Sequence, residues 1–133
     1  MAPGVVVLVD AANVVGARPD GWWRDRAGAA GRLLERLAEG LRTGALTGPV
    51  VVVLEGAARA AAAEGPSDAD GPAGGFRVVH APRDGDSAIV DEVRAQVSAG
   101  AQPVVVTADR GLRLRVGAEG AEVRGPSWLL DRL

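Results

Sequence analysis

Three continuous apolar runs constrain this chain most: Val5-Val6-Val7-Leu8-Val9, Val50-Val51-Val52-Val53-Leu54 and Val104-Val105-Val106. A strand with one wet face alternates apolar and polar residues, whereas these runs do not, so each calls for burial on both faces. That is the setting of a parallel strand in a helix-covered sheet. Phe76-Arg77-Val78-Val79 and Ala121-Glu122-Val123-Arg124 alternate more and suit outer strands. Between the first two runs, Ala30, Leu33, Leu34, Leu37, Ala38 and Leu41 recur at helical spacing, with Arg32, Glu35, Arg36 and Glu39 on the opposite face. Gly44 and Gly48-Pro49 stop that helix. A second helix is expected over Asp86 to Ala99, with Ile89, Val90, Val93 and Val97 on its apolar stripe and Gly100 as its stop. A short one follows Asp109, and Ser127 is placed to cap a final turn through Leu133. Strands alternating with helices predict an α/β three-layer sandwich with a central parallel sheet. The 133 residues fit one domain, 1–133, without internal repeat or linker. Gly56 to Gly75 reads as an alanine-rich turn or two, followed by a Gly- and Pro-rich loop.

Composition removes whole mechanisms. All 15 basic residues are Arg, and Lys, Cys and Tyr are absent. Without Lys there is no lysine-bearing P-loop, Schiff base or lysine-dependent aspartyl-phosphate site. Without Cys there is no thiol nucleophile, zinc ribbon, iron–sulfur cluster or disulfide framework. His80 is the only histidine, which excludes H-E-x-x-H. It lies on no serine-nucleophile motif and fits a structural place at its strand end better than a general base. Catalysis must therefore rest on carboxylates. A net charge of −2 argues against a generally basic coat but leaves room for a local arginine cluster. Val5 to Val9 ends at Asp10, too short for a signal core or a membrane span, so a cytoplasmic location and no membrane partner are expected.

In an open parallel sheet, ligands bind outside the carboxyl ends of the strands. Acids occupy those positions here. Asp10 follows the first run, Glu55 the second and, after two residues, Asp109 the third; Asp86 opens the helix after the fourth segment. Brought to one sheet edge, four carboxylates repel unless a cation sits among them. Hard oxygen donors without His or Cys suit Mg²⁺ or Mn²⁺ better than zinc. Such an ion polarises a phosphoryl oxygen and lowers the pKa of bound water, which predicts metal-assisted phosphodiester hydrolysis. Each acid also has a structural use. Asp10 and Asn13 suit the turn after the strand, Asp109 an N-cap, Asp86 a favourable place on the helix dipole, and Glu55 a polar loop.

The segment Val7-Leu8-Val9-Asp10-Ala11-Ala12-Asn13-Val14-Val15-Gly16 resembles the strand-then-D-x-x-N opening of PIN-like nucleases, especially NYN domains and their bacterial YacP-like branch. Asp86-Ser87-Ala88-Ile89-Val90 is similar to their D-x-x-I helix motif, and Val104-Val105-Val106-Thr107-Ala108-Asp109-Arg110 to their V-V-T-S-D-R segment. Order and spacing agree over residues 5 to about 115. The resemblance implies strand order 3-2-1-4-5 and a Mg²⁺- or Mn²⁺-dependent nuclease, usually acting on RNA. It implies Asp10, Asp86 and Asp109 as metal-binding acids, Asn13 orienting a ligand or water, and Thr107 hydrogen-bonding the cluster. Glu55 stands where the NYN branch has Asp. Asp84 and Asp91 match no family position, and Ala11 and Ala12 replace the usual glycine and aromatic.

Substrate contacts are expected from Arg110 and Arg113, with Arg115 continuing their segment, and from Trp22 between Arg18, Arg24 and Arg26. Trp23 suits packing. These residues favour RNA as partner and leave open a homodimer, a protein partner or an inhibitor. Two other functions use the same acids: an inactive PIN-like RNA- or protein-binding adaptor, and a nucleotide pyrophosphohydrolase or phosphatase.

Overall fold

The computed structural model describes residues 4–17, 25–55, 76–81 and 85–133. Five strands, β1 (Val5–Asp10), β2 (Val50–Leu54), β3 (Phe76–His80), β4 (Gln102–Val106) and β5 (Glu122–Arg124), form one sheet in the order β3-β2-β1-β4-β5. Every pairing is parallel. The helices are α1 (Ala11–Gly16), α2 (Arg26–Thr43), α3 (Gly85–Ser98), α4 (Arg110–Ala118) and α5 (Pro126–Leu130). They cover both faces, so the architecture is the α/β three-layer sandwich expected from the strand patterning, with strand order 3-2-1-4-5.

Two cores follow from two-sided burial. Alternate strand residues Val7, Val9, Val50, Val52 and Leu54 pack with Leu33, Leu34 and Leu37 of α2, Val14 of α1 and Leu129 of α5. Their neighbours Val6, Leu8, Val51, Val53 and Val105 pack with Ile89, Val90 and Val93 of α3 and Leu112 and Val116 of α4. β2 is buried throughout, while β3 and β5 at the edges are mixed, as their weaker patterning required. Val5 departs from its run: it stands 48% exposed at the amino end of β1.

Several boundaries differ from the expected ones. The 14 residues of α3 run one position earlier than expected, from Gly85. β4 starts at Gln102 and includes Pro103, opposite Val6. The Gln102 amide donates to Gly4 of the β1 side, so position 103 faces the β5 side, where pairing begins only at Val104. A missing N–H costs nothing there. Ser127 does not cap the last helix. Gly125 is the N-cap and Pro126 opens α5, since its fixed φ suits a first turn and its absent N–H needs no partner. Gly44 ends α2 at φ 85°, a left-handed cap that only glycine adopts at low cost. The segment expected as a loop after Gly56 lies outside the described residues, as do Arg18, Trp22, Trp23, Arg24, Asp84 and the Arg26 side chain.

Candidate acidic site at the carboxyl edge of the sheet

The register brings Asp10, Glu55 and Thr107 to one edge. Asp10 ends β1 opposite Val53, two residues before Glu55, and Val9 pairs with Val106, which sets Thr107 beside Asp10. His80 pairs with Leu54 at the same edge and is exposed.

Asp10 is the centre of the arrangement. It is only 4% exposed, yet it is ionisable and sits at the end of an apolar strand. The Thr107 hydroxyl, itself fully buried, donates to its Oδ2 at 2.8 Å, and Asn13 Nδ2 donates to the same oxygen at 2.7 Å. Asp10 occupies the N-cap position of α1 but makes no side-chain cap bond; its carboxylate is held by these two side chains instead. Thr107 Oγ1 in turn accepts from the Asp109 amide at 3.1 Å. One hydroxyl therefore connects the end of β1 to the start of α4. Burial pushes the Asp10 carboxyl above its usual range, the bonds from Thr107 and Asn13 oppose that rise, and the Asp86 charge adds to it. Asp86, in the first turn of α3, is thus electrostatically coupled to Asp10.

The remaining acids have visible structural uses. Asp109 is exposed and caps α4, its Oδ1 accepting from the Leu112 amide at 2.9 Å. Glu55 Oε2 accepts from the Gly85 amide at 2.5 Å, so the end of β2 holds the start of α3. A Cβ on Gly85 would stand 3.2 Å from that carboxyl group, which explains a glycine there. Among the described residues, no three acids or histidines converge closely enough to hold a metal ion as they stand. The acid whose charge acts on Asp10 is Asp86. Asp91 points elsewhere, exposed and facing Arg94 at 3.9 Å. Arg110, Arg113 and Arg115 are exposed on α4 directly after Asp109. The Glu55–Gly85 contact has no local sequence signal, because its partners are 30 residues apart.

Rae1 (YacP) from Bacillus subtilis superposes on 95% of this chain and 71% of its own, with a TM-score of 0.68 and 20% identity. A point mutant of that protein gives a TM-score of 0.71 and 22% identity over 96% and 73%. The fold is YacP-like. At this level of identity the likeness is one of fold, and it extends over nearly all of this chain. No protein-family model matches the sequence, and no curated protein does. Among the described residues, no helix is long and apolar enough to cross a membrane.

Proposed function

We propose that this chain is a ribonuclease that hydrolyses RNA phosphodiester bonds with Mg²⁺ or Mn²⁺ held by Asp10, Asp86 and Asp109. The observation that carries the reading is Asp10. It is a buried carboxylate at the carboxyl end of the central strand, oriented by two donors on a single oxygen, with its pKa raised chiefly by burial and in smaller part by the Asp86 charge. Burying an ionisable group against another acid is unfavourable by itself, and a hard divalent cation is the partner that reverses the cost. The chemistry of the donor set, hard carboxylate oxygens, suits such an ion, while among the described residues the acids do not converge on one as they stand. When bound, the ion supplies charge neutralisation at the scissile phosphate and a more acidic water.

The chain's own residues do the rest. Thr107 and Asn13 fix the Asp10 carboxylate, and Thr107 couples it to the Asp109 backbone. Glu55 belongs to the proposed ligand set as a fourth carboxylate, and its bond to Gly85 also sets the position of Asp86. Arg110 and Arg113 supply cations for phosphate, joined by Trp22 and Arg24 outside the described residues. The D-x-x-N, D-x-x-I and V-V-T-A-D-R segments, which resemble those of NYN nuclease domains, and the YacP-like fold support the same reading from separate directions.

The test is turnover of labelled single-stranded and structured RNA with Mn²⁺ by wild type, Asp10→Asn and Asp109→Asn. We expect both variants to fall by on the order of 10²-fold or more. Undiminished cleavage in both would refute the assignment. Asp109 and Glu55 each satisfy a helix N-terminus, the ordinary structural use of an acid, and this favours one second reading, an RNA-binding adaptor of the same fold. It predicts RNA binding without metal-dependent cleavage.

A further inference from the structure

On the α1–α2–α5 face, a groove of about 190 Å³ opens beside the acidic edge. Its floor is apolar, made by Val14 and Val15 of α1, Leu33 of α2 and Leu130 of α5, and its rim carries Arg32 and Arg36. The two arginines are four residues apart, so they stand on one face of α2, roughly 6 Å apart along its axis.

Arg42, Arg77, Arg94 and Arg124 each pair with a glutamate, and Arg132 lies over the Trp128 ring, 4.2 Å from its centroid. Among the described residues, Arg32 and Arg36 share with Arg110, Arg113 and Arg115 of α4 the lack of a carboxylate partner, although this chain has more acids than bases, and of these five only Arg32 and Arg36 line the groove. Val14, which lines the groove, directly follows Asn13, which bonds Asp10.

From this geometry we propose that the groove is a nucleotide subsite, in which the apolar floor takes one unpaired base of a single-stranded RNA and Arg32 and Arg36 take the adjoining phosphates. The inference rests on the RNA-directed reading above and extends it along the strand. The size fits one planar ring, since pockets for whole drug-sized ligands are larger, roughly 300–1,000 Å³. Guanidinium groups serve both needs at the rim, giving charge to a phosphate and a flat surface to a base. An aliphatic floor offers no hydrogen-bond reading of base edges, so the subsite accepts bases without strong sequence preference.

The experiment is fluorescence anisotropy of a labelled single-stranded RNA of about 12 nucleotides, within the usual site sizes, in EDTA and again in Ca²⁺, across a salt series. The proteins are full-length wild type, the double variant Arg32→Ala/Arg36→Ala, and Arg42→Ala. The last removes one positive charge from the same helix outside the groove. We expect the double variant to unfold at the wild-type temperature and to bind roughly tenfold more weakly, with a log–log salt slope shallower by about 1.4, equivalent to two phosphate contacts on a single strand. Arg42→Ala should bind as wild type does. Equal affinity and slope in wild type and the double variant overturn the subsite, and if wild type still cleaves RNA with Mn²⁺, the nuclease reading survives that failure. Weakened binding with no cleavage by wild type keeps the subsite and overturns the nuclease. Wild type that binds no RNA in either condition overturns both. A change confined to self-association, read by light scattering, makes a second copy of this chain the occupant and overturns the subsite.

Discussion

Thr107 Oγ1 donates to Asp10 Oδ2 at 2.8 Å across 97 residues of sequence, and both residues are buried. This bond fastens the carboxyl end of β4 to that of β1 at the point where the candidate chemistry is placed. Replacing Thr107 by Val keeps the shape and removes the hydroxyl, leaving a buried carboxylate with one donor fewer. The expected loss is about 1–3 kcal/mol, or roughly 4–10 °C in Tm, while Thr107→Ser retains most of the stability. Thermal and urea unfolding check it, and equal stability of the Val and wild-type proteins would contradict the role given to the hydroxyl.

Burial holds the Asp10 carboxyl above its ordinary pKa, so the folded state binds its proton more tightly than the unfolded state does. Asp10 therefore weighs against folding once the pH exceeds its folded pKa, and that cost vanishes as the pH falls to its unfolded value near 3.8. Asp10→Asn, which cannot ionise, should gain stability over wild type at neutral pH in EDTA, and the gain should shrink on acidification toward that value. Urea midpoints measured across this range decide it; a difference that is flat in pH removes the effect.

Glu55 and Gly85 form a pair suited to a double-mutant cycle. Glu55→Ala removes the carboxylate that receives the Gly85 amide, at an expected cost of about 0.5–2 kcal/mol. Gly85→Ala alone sets a Cβ 3.2 Å from the Glu55 carboxyl group and should also destabilise. In the Glu55→Ala background that contact is gone, so the second substitution should cost much less. Strict additivity of the two losses would show that the residues do not interact.

Metal binding has a readout independent of catalysis. Mn²⁺ at roughly 100 times its dissociation constant should stabilise the wild-type fold by about 2.7 kcal/mol. Asp10→Asn and Asp86→Asn should lose most of that gain in a thermal shift series. An equal gain in all three proteins places the ion elsewhere.

How far the sequence is legible depends on the range over which each residue acts. β1, β2 and β4 could be read because two-sided burial demands uninterrupted apolar residues, and β3 and β5 stood out as edges because one side of each is wet. Gly44 was legible as a stop because it acts on its own helix. The Asp10–Thr107 pairing was expected only through resemblance, since no local pattern reaches across 97 residues. The Glu55–Gly85 contact was missed for the same reason. Arg32 and Arg36 fell on the polar face of α2 in the periodicity. Periodicity shows which side faces away from the core, but not that α1 and α5 close a groove against it. Gly125 displaced Ser127 as a cap because Pro126 sets the start of the helix, a preference of conformation stronger than the hydroxyl's.

The bond between Thr107 and Asp10 also bears on the order of synthesis. The ribosome makes Asp10 first, and the hydroxyl that orients it arrives 97 residues later, on a strand that must lie beside β1 before the two can meet. An incomplete chain ending before β4 holds the first acid without its partner from Thr107. The oriented form of the Asp10 carboxylate therefore exists only after β4 has been made and has joined β1.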